Sequence, residues 1–331
     1  MSARPKEAWV ALLEDDNLVE VMLERPDQAR IIGGIFLGRV DAVLPGIQAA
    51  FVDIGTGKAG FLHVSDLIRD EDSEKENGGR DRRRRSRARK YPPIQDHIQK
   101  GQTLLVQVTK EAISSKGPRV TAQISLPGRF LVYMPHSSNV GVSRRIEDRA
   151  QRTKLRRMAK KILPRDSGGI IIRTVSEEVT EKKIEHEFKH LRESWNKVLT
   201  GSKSQEAPAL VHRGAQLIDG VIRDLFSDKF DAVRIDSKAI YNEVLEYVKS
   251  VDPELSDRVH LHREQEPLFD KYGVGEEIQR AFERKVTLKS GGHIVIEPTE
   301  ALVSIDVNTG RFTGKGKKRD PAKTILETNL G

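Results

Sequence analysis

The sequence predicts an α+β chain that is divided into several domains. Its 331 residues exceed what one hydrophobic core usually organises. A block of closely spaced short apolar runs, which is typical of a small β-barrel, is followed by alternating strand and helix patterns. The net charge of +8 and the pI near 9.5 favour a polyanionic partner, because each Lys or Arg placed on a phosphate releases a condensed counterion. RNA, DNA and anionic lipid all fit this charge.

Composition argues against two other classes of protein. No apolar run approaches the roughly 20 residues that span a bilayer, and no apolar signal core follows the charged start of the chain. We therefore expect a soluble, cytoplasmic protein without a transmembrane segment. The sequence has no cysteine, which excludes disulfides and a cysteine-ligated metal within these residues.

The first part of the chain predicts a hairpin and then the barrel. Apolar runs of strand length, Trp9 to Leu13 and Leu18 to Leu23, flank the turn-forming Asp15-Asp16-Asn17. The barrel strands are predicted at residues 31–40, 49–54, 60–63 and 104–109.

Residues 69–93 interrupt the predicted barrel with a charged segment. Acidic residues give way to a run from Arg80 to Lys90 that contains seven arginines and almost nothing apolar. This composition predicts a disordered insertion. A solvated loop and an arm that grips RNA fit it equally well.

Strand and helix patterns alternate through the rest of the chain. The predicted elements are a strand at 130–134, a helix around 155–163, a strand at 169–173, a helix with an apolar stripe from Ile184 to Val198 and Thr180 as its cap, a helix around 217–225, a strand at 232–235, a helix begun by Ser237, a helix at 276–285, strands at 293–297 and 301–306, and a helix at 321–330.

Asp306 and Asn308 are candidate ligands of a hard cation. They follow an apolar run and, two residues apart on a strand, share one face. Magnesium takes few protein ligands and keeps its waters, so a carboxylate with an amide is a reasonable half-site. An ordinary strand-end turn is the alternative, and on residue pattern alone it is favoured by roughly two to one.

Arg173 and Thr174 are candidates for binding a terminal phosphate. A guanidinium fork beside a hydroxyl suits a group that accepts paired N–H hydrogen bonds. A strand end that meets solvent explains the same two residues, and the pattern alone favours that explanation.

Three residues in the barrel region are weaker candidates for RNA contact. Phe51 and Phe61 could stack on unpaired bases, although a Phe in a barrel is more often core. Lys116 could follow backbone phosphate, although a solvated loop lysine is the default. His260 and His262 alternate as on a strand, but no third ligand at a metal-site spacing accompanies them, and we interpret them as ordinary.

Several stretches together resemble the ribonuclease E/G family. Residues 38–55 and 60–63 resemble its S1-type RNA-binding barrel, residues 131–135, 142–146 and 169–174 resemble its 5′-end sensor, and residues 290–310 and 327–330 resemble its catalytic domain. Their order and spacing match from end to end, except that the Arg-rich insertion lengthens the barrel.

The resemblance implies a role for each candidate residue. Asp306, assisted by Asn308, would bind the catalytic Mg²⁺ that activates water or stabilises the phosphoryl charge. Arg173 and Thr174 would bind a 5′-monophosphate. The other residues implied are Val132 and Gly128, which would line the phosphate pocket, and Phe51, Phe61, Lys116, Arg144 and Arg145, which would contact RNA.

The resemblance also implies an architecture. Residues 1–30 and 210–280 would form a ribonuclease H-like domain, into which the S1-type barrel (31–122, with the insertion 69–93) and the 5′-sensor domain (123–209) are inserted. Residues 281–331 would begin a deoxyribonuclease I-like catalytic domain.

Two features of the family have no counterpart in this sequence. The second metal-binding aspartate of the family lies downstream of the Asn329 region, and its Cys-Pro-x-Cys zinc segment is absent. The resemblance therefore implies an incomplete catalytic domain with weak or no cleavage, because one carboxylate is a poor anchor for magnesium. Zn²⁺ and a homo-oligomer are expected only in the full-length protein.

The leading hypothesis is a magnesium-dependent endoribonuclease that cuts single-stranded RNA during RNA processing and decay. It would act on mRNA and rRNA precursors, favour 5′-monophosphorylated ends and possess RNA-decay partner proteins. Two alternatives stay open: an RNA-binding protein that cuts nothing, and a basic DNA-binding structural protein.

Overall fold

The structure is a computed structural model that describes residues 1–4, 7–25, 31–67, 91–113, 116–165, 167–176, 179–288, 291–309 and 326. The chain divides into two compact units. The first contains Met1, Ala3–Val10 and Leu23–Leu261, and the second contains Ser2, Ala11–Met22 and His262–Gly331.

The chain opens with a three-stranded sheet in the order β1-β2-β3. The strands are β1 (Ser2–Arg4), β2 (Glu7–Glu14) and β3 (Asn17–Glu24). Asp15 and Asp16 both have positive φ, 49° and 60°, as tight hairpin turns require and as Asp tolerates better than most residues. The predicted hairpin is confirmed.

A closed barrel of five strands follows. Its strands are β4 (Ile35–Leu44), β5 (Ala49–Asp53), β6 (Gly60–His63), β7 (Thr103–Lys110) and β8 (Arg119–Thr121), and α1 (Val64–Leu67) follows β6. The sheet runs β4-β5-β6-β8-β7, and a further pairing between β4 and β7 closes it. Apolar side chains such as Val52, Leu62 and Val106 fill the interior. The four predicted strands are confirmed, and β8 is added to them.

A second sheet has the order β11-β12-β10-β9. It contains β9 (Leu126–Pro127), β10 (Leu131–Met134), β11 (Val140–Val142) and β12 (Gly169–Ile172). Two helices, α2 (Arg149–Ile162) and α3 (Glu181–Lys203), accompany it. Sheet and helices share one core, in which Leu131, Ile170, Leu155 and Phe188 are fully buried.

The apolar stripe predicted from Ile184 to Val198 is the buried face of α3. Thr180 occupies the N-cap position, but its side chain makes no capping hydrogen bond, so the predicted cap is positional only.

The first unit continues with alternating strands and helices. These are β13 (Ala209–His212), α4 (Leu217–Asp224), β14 (Val233–Ile235), α5 (Lys238–Val251) and β15 (Val259–Leu261). β13 pairs with β4, and β14 runs parallel to β15. Ser237 caps α5 as predicted, since its hydroxyl accepts from the Ile240 amide at 3.5 Å.

The second unit contains α6 (Leu268–Lys271), α7 (Val274–Ala281) and an antiparallel sheet of β16 (Lys285–Thr287), β17 (His293–Pro298) and β18 (Val303–Asn308). One prediction is wrong here. The helix expected at 276–285 ends at Ala281, because Lys285–Thr287 pairs with β17 instead. The two strands predicted at 293–297 and 301–306 are confirmed.

Some predictions fall outside the described residues. These are the Arg-rich insertion up to residue 90 and almost all of the helix at 321–330. Within the described ranges, no helix combines the length and apolar character needed to cross a membrane. The four-domain division stays a prediction.

Candidate functional site

Arg173 and Thr174 follow β12, where the backbone is fixed by hydrogen bonds. β12 is an inner strand, paired with β10 on one side and β11 on the other. The Arg173 amide donates to the Phe130 carbonyl at 2.8 Å, which extends this pairing past the strand end. Side chains at this point therefore project from a fixed frame.

The Arg173 guanidinium is anchored along one side. Its Nη1 donates to the Gly128 carbonyl at 2.7 Å and to Asp224 Oδ1 at 2.6 Å. Its Nε and Nη2 make no hydrogen bond to any residue that the structure describes. These two nitrogens form the edge that binds two oxygens of an anion side by side. Arg173 is thus oriented while its binding edge is left for a ligand.

Asp224 is shared between two arginines. Arg223 also donates to it, from Nε at 3.1 Å and from Nη2 at 2.6 Å. Burial acts to raise the pKa of Asp224, but the hydrogen bonds and charges of Arg223 and Arg173 outweigh it and hold the pKa below its usual value. Asp224 is therefore ionised at neutral pH, and the three side chains together keep one net positive charge.

Thr174 and Val132 lie near the same strand end. Thr174 Oγ1 is 3.2 Å from Ser143 Oγ, so its hydroxyl is held by the loop that follows β11. Val132 is half-buried on β10, opposite Ile171. The structure thus brings Arg173 directly to Gly128, and it places Thr174 and Val132 on the adjoining backbone.

A buried carboxylate fixes the turn that carries Gly128. Glu187 on α3 accepts the backbone amides of Arg129 at 2.6 Å, Phe130 at 2.8 Å and Leu131 at 3.0 Å. Burial raises the pKa of Glu187, and these amide donors oppose the rise without cancelling it. A Cβ on Gly128 would lie 2.6 Å from Glu187 Cδ, so any other residue would displace the carboxylate that these amides hold.

Arg129 connects the same turn to α4 and to the residues that follow it. It is buried, it donates to the carbonyls of Ile222 and Phe226, and it lies 3.5 Å from Asp252. Lys183 completes this group by donating to Asp252 at 2.7 Å. The carbonyl that anchors Arg173 is therefore supported by a network of buried and partly buried charges.

Phe51 and Phe61 lie side by side on the barrel. They pair across β5 and β6, and their rings meet edge to face with centroids 6.1 Å apart. Both are partly exposed, whereas the alternate residues Val52 and Leu62 are buried. The pair therefore presents aromatic surface to solvent and is not part of the barrel core.

Lys116 lies near the same edge of the barrel. It is exposed, and it precedes β8 by three positions, where Arg119 lies opposite Phe61. Arg119 itself is paired with Asp66, at 2.8 Å from Nη2. Lys116 is thus the less constrained cation on this side of the aromatic pair.

Arg144 and Arg145 are both exposed in the loop between β11 and α2. The Arg145 amide donates to Ser143 Oγ at 3.3 Å, the same hydroxyl that contacts Thr174. This loop therefore carries two cations beside the end of β12.

Asp306 and Asn308 lie in the second unit, on the edge strand β18. Asn308 Nδ2 donates to Asp306 Oδ2 at 2.8 Å, so the two side chains do share a face. His293 pairs with Asn308 and Val295 pairs with Asp306. No group of three or more His, Asp or Glu side chains suited to a metal occurs within the described ranges. Two oxygen-bearing side chains fit the few protein ligands that magnesium takes.

Comparison with known proteins decides the family. Residues 125–331 match the model of the ribonuclease E/G family, and residues 31–120 match the S1 RNA binding domain. The chain is 39% identical over 330 residues to ribonuclease G of Haemophilus influenzae, and the aligned region covers all of this chain and 65% of that protein. It is 38% identical over 335 residues to ribonuclease G of Escherichia coli, with the same coverage.

The chain belongs to the ribonuclease E/G family. A more distant relative is ribonuclease E of Synechocystis sp., which is 36% identical over 329 residues, 98% of this chain and 46% of that protein. The chain thus spans about two thirds (65%) of the length of the ribonuclease G relatives. The closed barrel is its S1 domain.

Sequence reasoning missed the residues that support Arg173. Glu187 could have been noticed, because it interrupts the apolar face of α3 between Ile184 and Leu191, and an acid on a buried stripe needs hydrogen-bond donors. Asp224 gave no such signal. Its role appears only when α4 lies beside the end of β12.

Proposed function

We propose that this member of the ribonuclease E/G family binds single-stranded RNA and acts as a magnesium-dependent endoribonuclease that prefers 5′-monophosphorylated ends. The observation that carries this proposal is the Arg173 guanidinium, held through Nη1 while Nε and Nη2 make no hydrogen bond to a described residue. A terminal phosphate has the paired oxygens that fit this edge.

Discrimination between 5′ ends follows from the charge and space at this site. A monophosphate places its oxygens on Arg173 and can accept the Thr174 hydroxyl, which now contacts Ser143. A 5′-hydroxyl offers no anion to the guanidinium. Val132 and Gly128 would line the pocket, where the narrow space at Gly128 beside Glu187 limits how deep the phosphate can go.

RNA beyond the 5′ end would lie on the S1 barrel. Phe51 and Phe61 offer a partly exposed aromatic pair, and a base can stack on such a ring without sequence preference. Lys116 would neutralise backbone phosphate near them, and Arg144 and Arg145 would do the same beside the sensor pocket.

Asp306 and Asn308 would hold the magnesium ion through oxygen. The Asp306 carboxylate that now accepts from Asn308 is exposed, so a cation can reach it. When bound, magnesium would supply an activated water or stabilise charge on the phosphate that is cut. The chain's own contribution would be to fix the ion on the polar face of β18.

Cleavage of end-labelled oligonucleotides tests this function. In magnesium, a version of the protein extended past residue 331 should cut a single-stranded A/U-rich RNA with a 5′-monophosphate faster than the same RNA with a 5′-triphosphate or 5′-hydroxyl. Arg173→Ala should erase that difference, whereas Arg192→Ala, which removes an exposed arginine from α3, should preserve it. A preference that survives in Arg173→Ala would remove the sensor role from this residue.

Binding of RNA without cleavage is the second candidate. It is favoured by the finding that only two side chains, Asp306 and Asn308, converge on the candidate metal site in the part of the chain that the structure describes. Asp306→Ala separates the two functions. In the version extended past residue 331, loss of cleavage with unchanged RNA affinity on this substitution supports the nuclease, whereas a substrate left intact with and without the substitution supports binding alone.

A further inference from the structure

Helix α2 carries an unusual concentration of positive charge. Its 14 residues include seven cations and no acid. The cations are Arg149, Arg152, Lys154, Arg156, Arg157, Lys160 and Lys161. Like charges three and four residues apart repel one another on a helix, so this composition destabilises α2 unless an anionic partner offsets the repulsion.

The buried and exposed faces of α2 are cleanly separated. Leu155 and Ala159 are buried in the core beneath the sheet of β9 to β12, with Met158 and Ile162 packed against that core. Arg152 is half-buried and donates to the carbonyls of Ser143 and Ile146. The remaining six cations are exposed and, at 100° per residue, spread over the whole solvent side of the helix.

Most of this charge has no counter-charge among the residues that the structure describes. Lys161 pairs with Glu181 at 2.8 Å. Arg149, Lys154, Arg156, Arg157 and Lys160 form no ion pair with a residue that the structure describes. The neighbouring acid Asp148 uses Oδ1 to cap the helix through the Ala150 amide at 2.8 Å. Glu147 is exposed and is the one other acid directly before α2.

We propose that the exposed side of α2 is a second RNA-binding surface, which contacts the phosphate backbone without reading the bases. Arg149, Arg156 and Lys160 fall on one stripe along the helix, where Arg149 lies roughly 11 Å from Arg156, and Arg156 roughly 6 Å from Lys160, along the helix axis. An open depression beside this stripe is lined by Arg149, Lys154 and Arg157, and also by Asp148, whose Oδ1 accepts from the Ala150 amide. Both features suit an extended polyanion better than a single small anion.

The structure connects this surface with the end of β12. Arg152 holds the loop from Ser143 to Ile146, and Ser143 contacts Thr174 at 3.2 Å. The same loop carries Arg144 and Arg145. Positive side chains thus continue from the β12 end along the loop and onto α2, a path that an RNA strand can follow.

RNA fits this surface better than an anionic membrane does. A basic amphipathic helix binds a bilayer by inserting its apolar face, but the apolar face of α2 is buried in the protein core, where Leu155 is 1% exposed. The helix can therefore offer charge alone, and charge alone is what backbone contact with RNA uses.

The inference rests on the RNA-binding part of the proposed function and is independent of the 5′-phosphate pocket. It is tested by equilibrium binding of a 5′-hydroxyl oligouridylate across a range of salt concentrations. The test variant is Arg149→Gln/Arg156→Gln/Lys160→Gln, and the matched control is Lys197→Gln/Lys238→Gln/Lys249→Gln, which removes three exposed helix cations elsewhere.

The surface predicts a specific change in salt dependence. Because each phosphate contact contributes about 0.7 to the slope of log K against log salt for single strands, the test variant should lose about 2 from the slope and bind about 10- to 100-fold more weakly at 0.1 M salt. The control should change little. Arg149→Lys/Arg156→Lys should also bind like the parent, since backbone contact requires a point charge and not a fork.

Three results would overturn the inference. The first is an equal salt slope in the test variant and the parent. The second is an equal loss of RNA affinity in the test and control variants. The third is a test variant that no longer binds phosphatidylserine vesicles but still binds RNA as the parent does. The melting temperature of the test variant should be unchanged or higher, because repulsion within α2 is relieved. A lower melting temperature would reveal a folding defect. If the parent chain binds no RNA at all, the proposed function fails as well; if only Arg173→Ala fails to behave as expected, the α2 surface stands.

Discussion

Arg173 depends on two neighbours for its orientation, and they come from different parts of the chain. Gly128 provides a carbonyl and Asp224 provides a carboxylate, both to Nη1. Asp224→Asn keeps the shape but loses the charge that holds the guanidinium. We expect the preference for a 5′-monophosphate to fall several-fold, with affinity for 5′-hydroxyl RNA unchanged. Fluorescence anisotropy with both RNAs measures this, and an undiminished preference would show that Asp224 does not position Arg173.

The same residue predicts a pH dependence of stability. The pKa of Asp224 is lower in the folded protein than its ordinary 3.8. Its ion pairs therefore contribute stability that is fully present above pH of about 4 and is lost as the pH falls through the depressed pKa. Asp224→Asn should be less stable than the parent at pH 7, and the gap in unfolding free energy should close in acid. A gap that widens in acid has the wrong sign for this explanation.

Glu187 supports the turn beneath the pocket with both carboxylate oxygens. Oε1 accepts one backbone amide and Oε2 accepts two. In Glu187→Gln an NH₂ group replaces one acceptor and faces an N–H donor, which leaves buried groups unsatisfied. We expect a loss of roughly 1–3 kcal/mol in unfolding free energy, measured by urea denaturation.

Glu193→Gln on the same helix is the control for this substitution, because Glu193 is exposed. Its unfolding free energy should lie within about 0.5 kcal/mol of the parent. Equal effects of the two substitutions would remove the structural role from Glu187.

At the scale of elements, strands β5 and β6 set the spacing of the aromatic pair. Phe51 and Phe61 face each other across the two strands and lie outside the buried set of the barrel. Each ring should contribute ~1–3 kcal/mol to RNA binding by stacking. Phe51→Ala and Phe61→Ala should therefore weaken binding of single-stranded RNA about 5-fold or more while the barrel stays folded. Leu62→Ala, in the barrel interior, should instead lower stability, and the reverse pattern would mean that the two rings are structural.

Elements with strong local patterns could be predicted from the sequence. The stripe of α3, the turn at Asp15-Asp16 and the Ser237 cap each depend on neighbours within a few residues. The end of α7 could not, because Lys285–Thr287 becomes a strand only by pairing with β17. The three-residue strands β8, β11 and β15 depend in the same way on partners that are distant in sequence, which for β8 is β6.

At the scale of the whole chain, the sequence named the candidate site residues, and their roles came from the family resemblance, but it did not indicate how Arg173 is supported. Arg173 and Thr174 follow the apolar strand β12, and Asp306 and Asn308 alternate with apolar residues at the end of β18, so these polar side chains stand out in the sequence. Asp224 lies 51 residues from Arg173, and Glu187 lies 58 residues from Arg129. Such pairs are created by the packing of helices on the sheet of β9 to β12, which no local pattern encodes. The net charge of +8 indicates a polyanionic partner. Only the structure shows that α2 presents much of the positive charge on one side.

The ratio of affinities for two RNAs that differ only at the 5′ end tests the central claim most directly. A 5′-monophosphorylated oligonucleotide and its 5′-hydroxyl counterpart are titrated with the chain, with Arg173→Ala and with Arg192→Ala, in the absence of magnesium so that no strand is cut. Charge-assisted hydrogen bonds to Arg173 are worth about 1.5–3 kcal/mol, so we predict at least about 10-fold tighter binding of the monophosphate. The ratio should fall to about one in Arg173→Ala and persist in Arg192→Ala. Equal affinity of the parent chain for both RNAs, or a ratio that Arg173→Ala leaves intact, would contradict the account.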